Sequence, residues 1–150
     1  MDETYVGGKN ENRSISIRHD KSEGTLERYK KSTVFGMVKR EGEVRAKHVQ
    51  NASELSLIPV IYENVNVETK VYTDQHKSYS KLKRVYDHKI VKHSKGQYVK
   101  GRVSTNTIES FWAILKRGIY GICLFTSKKH LQLYVDEFVF RYNTRKGTEN

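Results

Sequence analysis

Asp2, Asp74 and Glu109 are carboxylates set in stretches that place them where chemistry is possible. Asp2 opens Asp2-Glu-Thr-Tyr-Val-Gly-Gly-Lys9, and Asp74 ends Val71-Tyr-Thr-Asp74. Glu109 lies in Thr105-Asn-Thr-Ile-Glu-Ser-Phe-Trp-Ala-Ile-Leu-Lys-Arg-Gly118. Magnesium takes oxygen ligands and is typically held by one or two carboxylates together with substrate phosphate oxygens. Two such ions, about 3.5 to 4 Å apart, activate an attacking oxygen on one side of a phosphate and stabilise the leaving oxygen on the other. The three residues therefore suit metal-dependent phosphodiester hydrolysis or transfer. Spacing alone leaves a plainer reading open, because an acid and a lysine on one helix usually make a solvated face.

Lys116 follows Glu109 by seven residues, two helical turns, so the two share nearly the same face. There Lys116 is placed to hold a phosphate as a point charge. Asn106 and Trp112 flank Glu109 at three residues on either side. Trp112 reads as a core residue before a base-stacking one. Ile108, Phe111, Leu115 and Ile119 form the apolar stripe that anchors the helix to a sheet.

Upstream of that helix, Lys89-Ile-Val-Lys-His-Ser-Lys-Gly-Gln-Tyr-Val-Lys-Gly-Arg102 interleaves cations with an aromatic residue and two glycines. Lys92, Lys95, Tyr98, Lys100 and Arg102, continued by Asn106, Lys116 and Arg117, are the candidate DNA-backbone contacts. A second basic cluster over 13–31 is expected to be mobile. The chain carries 28 Lys and Arg against 17 Asp and Glu, a net charge of +11. Such a balance predicts a polyanionic partner, first of all nucleic acid. The chain shows no apolar run long enough to span a bilayer, so the expectation is a cytoplasmic protein. The single cysteine, Cys123, excludes an internal disulfide, and the six histidines show no metal-ligand spacing.

The elements that must position these residues follow from pattern. A short strand is expected over 2–6 and a polar loop or hairpin extension over 7–32. A hairpin with strands over 33–40 and 43–50 comes next. A helix begins at Ser53, with Leu55, Ile58, Val60, Ile61 and Tyr62 as its buried side and Pro59 as a possible kink. Strands over 69–74 and 88–92 bracket a short helix over 77–83, and helices follow over 105–120 and 128–144. In the last of these, Leu131, Leu133, Val135, Phe138, Val139 and Phe140 read as core. The 150 residues make one domain, an α/β mixed sheet with helices on its faces.

At Asp2 to Lys9, Tyr72-Thr-Asp74 with Tyr79 following, Gly101 to Gly118, and Phe140-Arg-Tyr-Asn143, the chain resembles the catalytic domain of the ISXO-two-like insertion-sequence transposases. That group is a branch of the DDE transposases. The resemblance implies an RNase H-like fold, with antiparallel first strands, then parallel ones, flanked by helices. It implies Asp2, Asp74 and Glu109 as the metal-binding triad, Lys116 as the associated basic residue, and Asn106 as a support. It also implies Mg2+ or Mn2+, two ions, as cofactor, transposon ends and target DNA as partners, and a homo-oligomer on DNA. The reaction would be nicking at the element's ends followed by strand transfer. Since Asp2 follows Met1 directly, it further implies a domain shortened at its N-terminus. The competing functions are a non-catalytic DNA-binding remnant of such an element and another RNase H-like nuclease.

Overall fold

The computed structural model describes residues 1–7, 31–40, 42–74, 76–91, 106–122 and 126–145. Strands β1 (Asp2–Val6), β2 (Ser32–Val38) and β3 (Val44–Val49) form an antiparallel sheet in that order. Asp2 stands opposite Gly36, and Val38 opposite Val44. The β2–β3 turn is closed by Lys39 N–H donating to Glu43 O and Gly42 N–H donating to Lys39 O, both at 3.0 Å. Helix α1 (Glu54–Asn64) leads to β4 (Val71–Thr73), a 3-10 helix (Lys77–Arg84) and β5 (His88–Ile90), and β5 pairs parallel to β4. Helices α2 (Asn106–Gly121) and α3 (Leu131–Thr144) complete the order. The Met1 amine donates to Tyr72 O at 2.7 Å, which brings the edge of β1 to β4.

Alternation along the strands divides the core between the two faces of the sheet. Val6, Val34, Val44 and Ala46 pack with Ile108, Phe111, Trp112 and Leu115 of α2 and Leu131, Val135, Phe138 and Tyr142 of α3. Phe35, Met37 and Val49 pack on the other side with Leu57, Ile61, Tyr79 and Leu82. Strand β2 is thus buried on both faces and reads as a near-continuous apolar run, whereas β3 alternates. Where α2 meets α3, a Cβ on Gly118 would lie 1.9 Å from the Phe138 ring. The close approach of the two helices requires glycine there.

The strands and helices of the sequence reading are present, with several corrections. The α1 buried side is Leu57 and Ile61, while Leu55 is 87% exposed and Tyr62 half exposed. Ser53 occupies the N-cap position, but its side chain caps no backbone N–H, and the helix runs on past Pro59 to Asn64. The expected short helix is 3-10 in form, and the last helix starts at Leu131. In α3 the stripe that meets the sheet is Leu131, Val135, Phe138 and Tyr142. Leu133 and Phe140 turn away from it and are each 67% exposed. Leu133 lies about 200° around the helix from Leu131, which accounts for the difference.

Helix α3 also covers the outer edge of β3. The Asn143 side chain accepts from Val44 N–H at 2.8 Å and donates to Val44 O at 2.9 Å. Gln132 accepts from His48 N–H at 2.6 Å and donates to Ala46 O at 3.3 Å. Two side-chain amides therefore take the part of a neighbouring strand along an edge that would otherwise invite another chain.

Candidate active site

Successive residues of a strand point to opposite faces, so Asp2 and Glu3 at the start of β1 serve different layers. Asp2 faces α2, where Trp112 Nε1 donates to its Oδ2 at 3.0 Å. Trp112 is buried, and it reaches the carboxylate because the facing residue on β2 is Gly36. A Cβ at that position would come within 2.5 Å of two indole carbons. Burial pushes the Asp2 carboxyl above its ordinary range; the indole hydrogen bond opposes this, and the nearby charge of Asp74 adds to it.

Asp74 directly follows β4. Its Oδ1 accepts from the backbone N–H of His76 at 3.1 Å, a local turn typical of aspartate. Its carbonyl oxygen accepts from Thr73 Oγ1 at 2.9 Å, and the same hydroxyl lies 2.8 Å from His88 Nε2 on β5. With the hydroxyl proton used on Asp74, the imidazole must donate through Nε2. His88 Nδ1 is buried and has no hydrogen-bond partner among the described residues. Burial and the charge of Lys83 hold the His88 pKa below its ordinary value.

Glu3, on the other face, has a side chain only 7% exposed. It accepts a short hydrogen bond from the Tyr79 hydroxyl. Burial pushes the Glu3 carboxyl up, a shift opposed by the Tyr79 hydrogen bond and reinforced by Asp74. His76 Nδ1 lies 3.8 Å from Glu3 Oε1 and accepts from Ser78 N–H at 3.4 Å. At 3.8 Å the carboxylate contact is too long for a hydrogen bond, and the contact from Ser78 N–H makes His76 the N-cap of the 3-10 helix.

Among the sequence-predicted residues, Asp2 and Asp74 lie on elements joined by the Met1 amine bond to Tyr72 O, and the charge of Asp74 acts on the Asp2 carboxyl. Glu109 is exposed in the first turn of α2, one turn before Trp112. Lys116 is partly exposed and Arg117 exposed, with the Arg117 Nε donating to Ala113 O at 3.3 Å. No group of three His, Cys, Asp or Glu side chains able to hold a metal ion forms among the described residues. The expected triad is not assembled among the described residues: Glu109 sits on the helix whose Trp112, one turn further along, bonds Asp2. Lys92, Lys95, Tyr98, Lys100, Arg102, the side chain of Asn106, Cys123 and the 13–30 part of the second basic cluster lie outside the described residues.

Sequence reasoning missed the residues that hold the pair. Trp112 was read as core, which it is, and it is also the hydrogen-bond partner of Asp2. Glu3, Tyr79 and His76 gave one usable signal: adjacent acids on a strand must face opposite layers, so Glu3 needed a partner of its own.

This chain belongs to the ISXO2-like transposase domain family, which matches residues 1–143. A protein of Haemophilus influenzae described as an uncharacterized transposase-like protein is 32% identical over 99 residues, covering 63% of this chain and 76% of that protein. No solved structure matches the chain. Among the described residues no helix is long and apolar enough to cross a membrane.

Proposed function

We propose that residues 1–150 form one DDE-type transposase catalytic domain, which nicks DNA at the ends of an insertion sequence and transfers the freed strands to target DNA. The observation that carries this reading is the Met1 amine bond to Tyr72 O, which sets Asp2 at the start of β1 beside the strand β4 that ends at Asp74, in a chain of a transposase family. An RNase H-like arrangement is supported by the antiparallel sheet β1-β2-β3, the separate parallel β4–β5 pair and the Met1–Tyr72 bond, which brings the start of β1 to β4.

The donor chemistry fits a hard divalent cation, Mg2+ or Mn2+, because two carboxylates with the same-sign charge in a half-buried setting favour a cation between them. Asp2 and Asp74 would hold it, with Glu109 as the third acid. When bound, such ions make an oxygen nucleophile and stabilise the leaving oxygen of a phosphodiester. The chain's own residues orient and neutralise. Trp112 fixes one oxygen of Asp2, and the His76 N–H fixes one oxygen of Asp74. Lys116 and Arg117 on α2 offer positive charge for a DNA phosphate, and the basic run that the sequence carries over 89–102 is proposed to add to it. DNA is the partner, and two copies holding two element ends are the expected assembly, associated with the nucleoid.

Supercoiled plasmid bearing candidate element ends, incubated with Mg2+, tests the reading. Nicking and covalent strand joining that vanish in Asp74→Asn and Glu109→Gln are expected. Binding without cleavage would point to a DNA-binding remnant, and cleavage without joining to a different RNase H-like nuclease.

A further inference from the structure

Glu3 is a nearly buried carboxylate that the proposed chemistry does not use. Burying a carboxylate is unfavourable unless it is compensated by partners. Its partner is Tyr79, itself 1% exposed, packed against Phe35 at a ring-centroid distance of 6.4 Å. Tyr79 lies in the first turn of the 3-10 helix, and its N–H donates to His76 O at 3.2 Å. The N–H of the same His76 holds Asp74. From Asp2 the path runs through one peptide bond to Glu3, through the Tyr79 hydroxyl, along one helical turn to His76, and back to the Asp74 carboxylate.

Nothing else described on this face spans from β1 to the Asp74 turn by a side chain-to-side chain hydrogen bond. Strand β4 has only three residues, so its own ladder holds the end of the strand weakly. The distance between Asp2 and Asp74 therefore depends on what crosses between their elements. The Met1 amine bond to Tyr72 O joins the two strands through the backbone, Trp112 secures Asp2 from the α2 side, and the Glu3–Tyr79 bond secures the Asp74 turn from the opposite side.

We propose that Glu3 and Tyr79 are positioning residues that brace the Asp2–Asp74 pair in the spacing a divalent cation requires, a role resting on the metal-dependent reading above. Tyr79 acts through its hydroxyl and Glu3 as acceptor. Neither touches the cation. Groups that orient metal ligands typically change metal affinity by about 10- to 100-fold when removed.

The test is Mn2+ binding to the full chain, followed by the loss of the free-ion spin-resonance signal, with thermal unfolding measured on each variant. Tyr79→Phe keeps the ring in the core and removes only the hydroxyl; its Mn2+ dissociation constant is expected to rise by about 10-fold or more. Glu3→Ala, which removes the other half of the bond, is expected to show the same rise, so the proposal stays refutable if Tyr79→Phe does not fold. Glu3→Gln, which can still accept from Tyr79, is expected to bind Mn2+ nearly as the wild type does. Asn143→Ala, remote from the pair, controls for destabilisation and should lower the melting temperature with no change in Mn2+ binding.

A wild-type constant in folded Tyr79→Phe or in folded Glu3→Ala overturns the brace. Loss of binding in Glu3→Gln as complete as in Asp74→Asn overturns it too, by making Glu3 a ligand. A wild-type chain that takes up no Mn2+ overturns the metal reading itself, and the brace with it. Intact wild-type binding with an unshifted Tyr79→Phe defeats the brace alone.

Discussion

The indole N–H of Trp112 in α2 donates to Oδ2 of Asp2 in β1 at 3.0 Å, across 110 positions of the chain. One bond thus fixes both the helix against the sheet and the direction of a candidate metal ligand. Trp112→Phe keeps most of the buried ring and removes the donor. A hydrogen bond to a charged group contributes roughly 1.5–3 kcal/mol, so a loss of stability of about that size is expected in urea unfolding. Gly36→Ala attacks the same bond from behind, because the new methyl would force the indole away from Asp2. Overpacking of this kind costs roughly 1–3 kcal/mol. An unchanged unfolding midpoint in both variants would remove the bond from the account of how Asp2 is held.

The order of elements was legible because hydrophobic period and turn residues report local structure. Ile108, Phe111, Leu115 and Ile119 mark the buried stripe of α2 and are buried as expected, and the apolar run over 33–40 marks a strand, whose burial on both faces through Val34, Phe35 and Met37 the structure adds. The misreadings on α1 and α3 have one cause. Leu55, Leu133 and Phe140 are apolar, and composition does not reveal which of several apolar residues on a helix meets the sheet. That choice is made by the axis of packing, here set by Leu57 and Ile61 in α1 and by Leu131, Val135, Phe138 and Tyr142 in α3. The candidate site was legible in its acids and not in its supports. Glu3–Tyr79, Trp112–Asp2 and Asn143–Val44 join residues 76, 110 and 99 positions apart, and no periodicity carries such pairings.

Asn143 offers a test of how the sheet edge is closed. Its amide makes both bonds to Val44, so Asn143→Ala leaves one buried N–H and one buried carbonyl without their partner. Leaving such groups unsatisfied costs about 1–3 kcal/mol each, and a fall in stability in that range is expected. If water takes over both bonds, the fall will be under about 0.5 kcal/mol, as for an ordinary surface substitution. Because β3 would then present a free edge, light scattering at rising concentration should show the variant associating where the wild type does not.

His88 predicts a pH dependence. Its folded pKa is lowered, first by burial and then by Lys83 and the N-terminal amine, from an ordinary value of 6.5. The folded state therefore binds fewer protons here than the unfolded state. The stability linked to His88 is fully present above pH 6.5 and declines as the pH falls below it toward the depressed folded value. Protonation would also put a second N–H into a place where Nδ1 has no acceptor among the described residues. Melting temperatures measured from pH 8 to pH 5.5 are expected to fall more steeply for the wild type than for His88→Gln. Parallel curves would show that His88 takes up its proton without penalty.

DNA affinity should report charge rather than the carboxylate pair. The chain carries +11, with Lys116 partly exposed and Arg117 exposed on α2. If about six phosphates are contacted, the logarithm of the binding constant should fall with the logarithm of salt at a slope near −5, so affinity drops steeply between roughly 50 and 200 mM. Arg117→Ala should reduce that slope by about one if the guanidinium meets a phosphate, and weaken binding to all sequences alike. Asp74→Asn removes a negative charge, so it should bind as well as the wild type or better while abolishing cleavage. Fluorescence anisotropy on a labelled duplex, titrated at several salt concentrations, measures all three. A salt response that is flat in the wild type would mean the positive charge is not what meets DNA, and an Arg117→Ala slope equal to that of the wild type would take α2 off the backbone path.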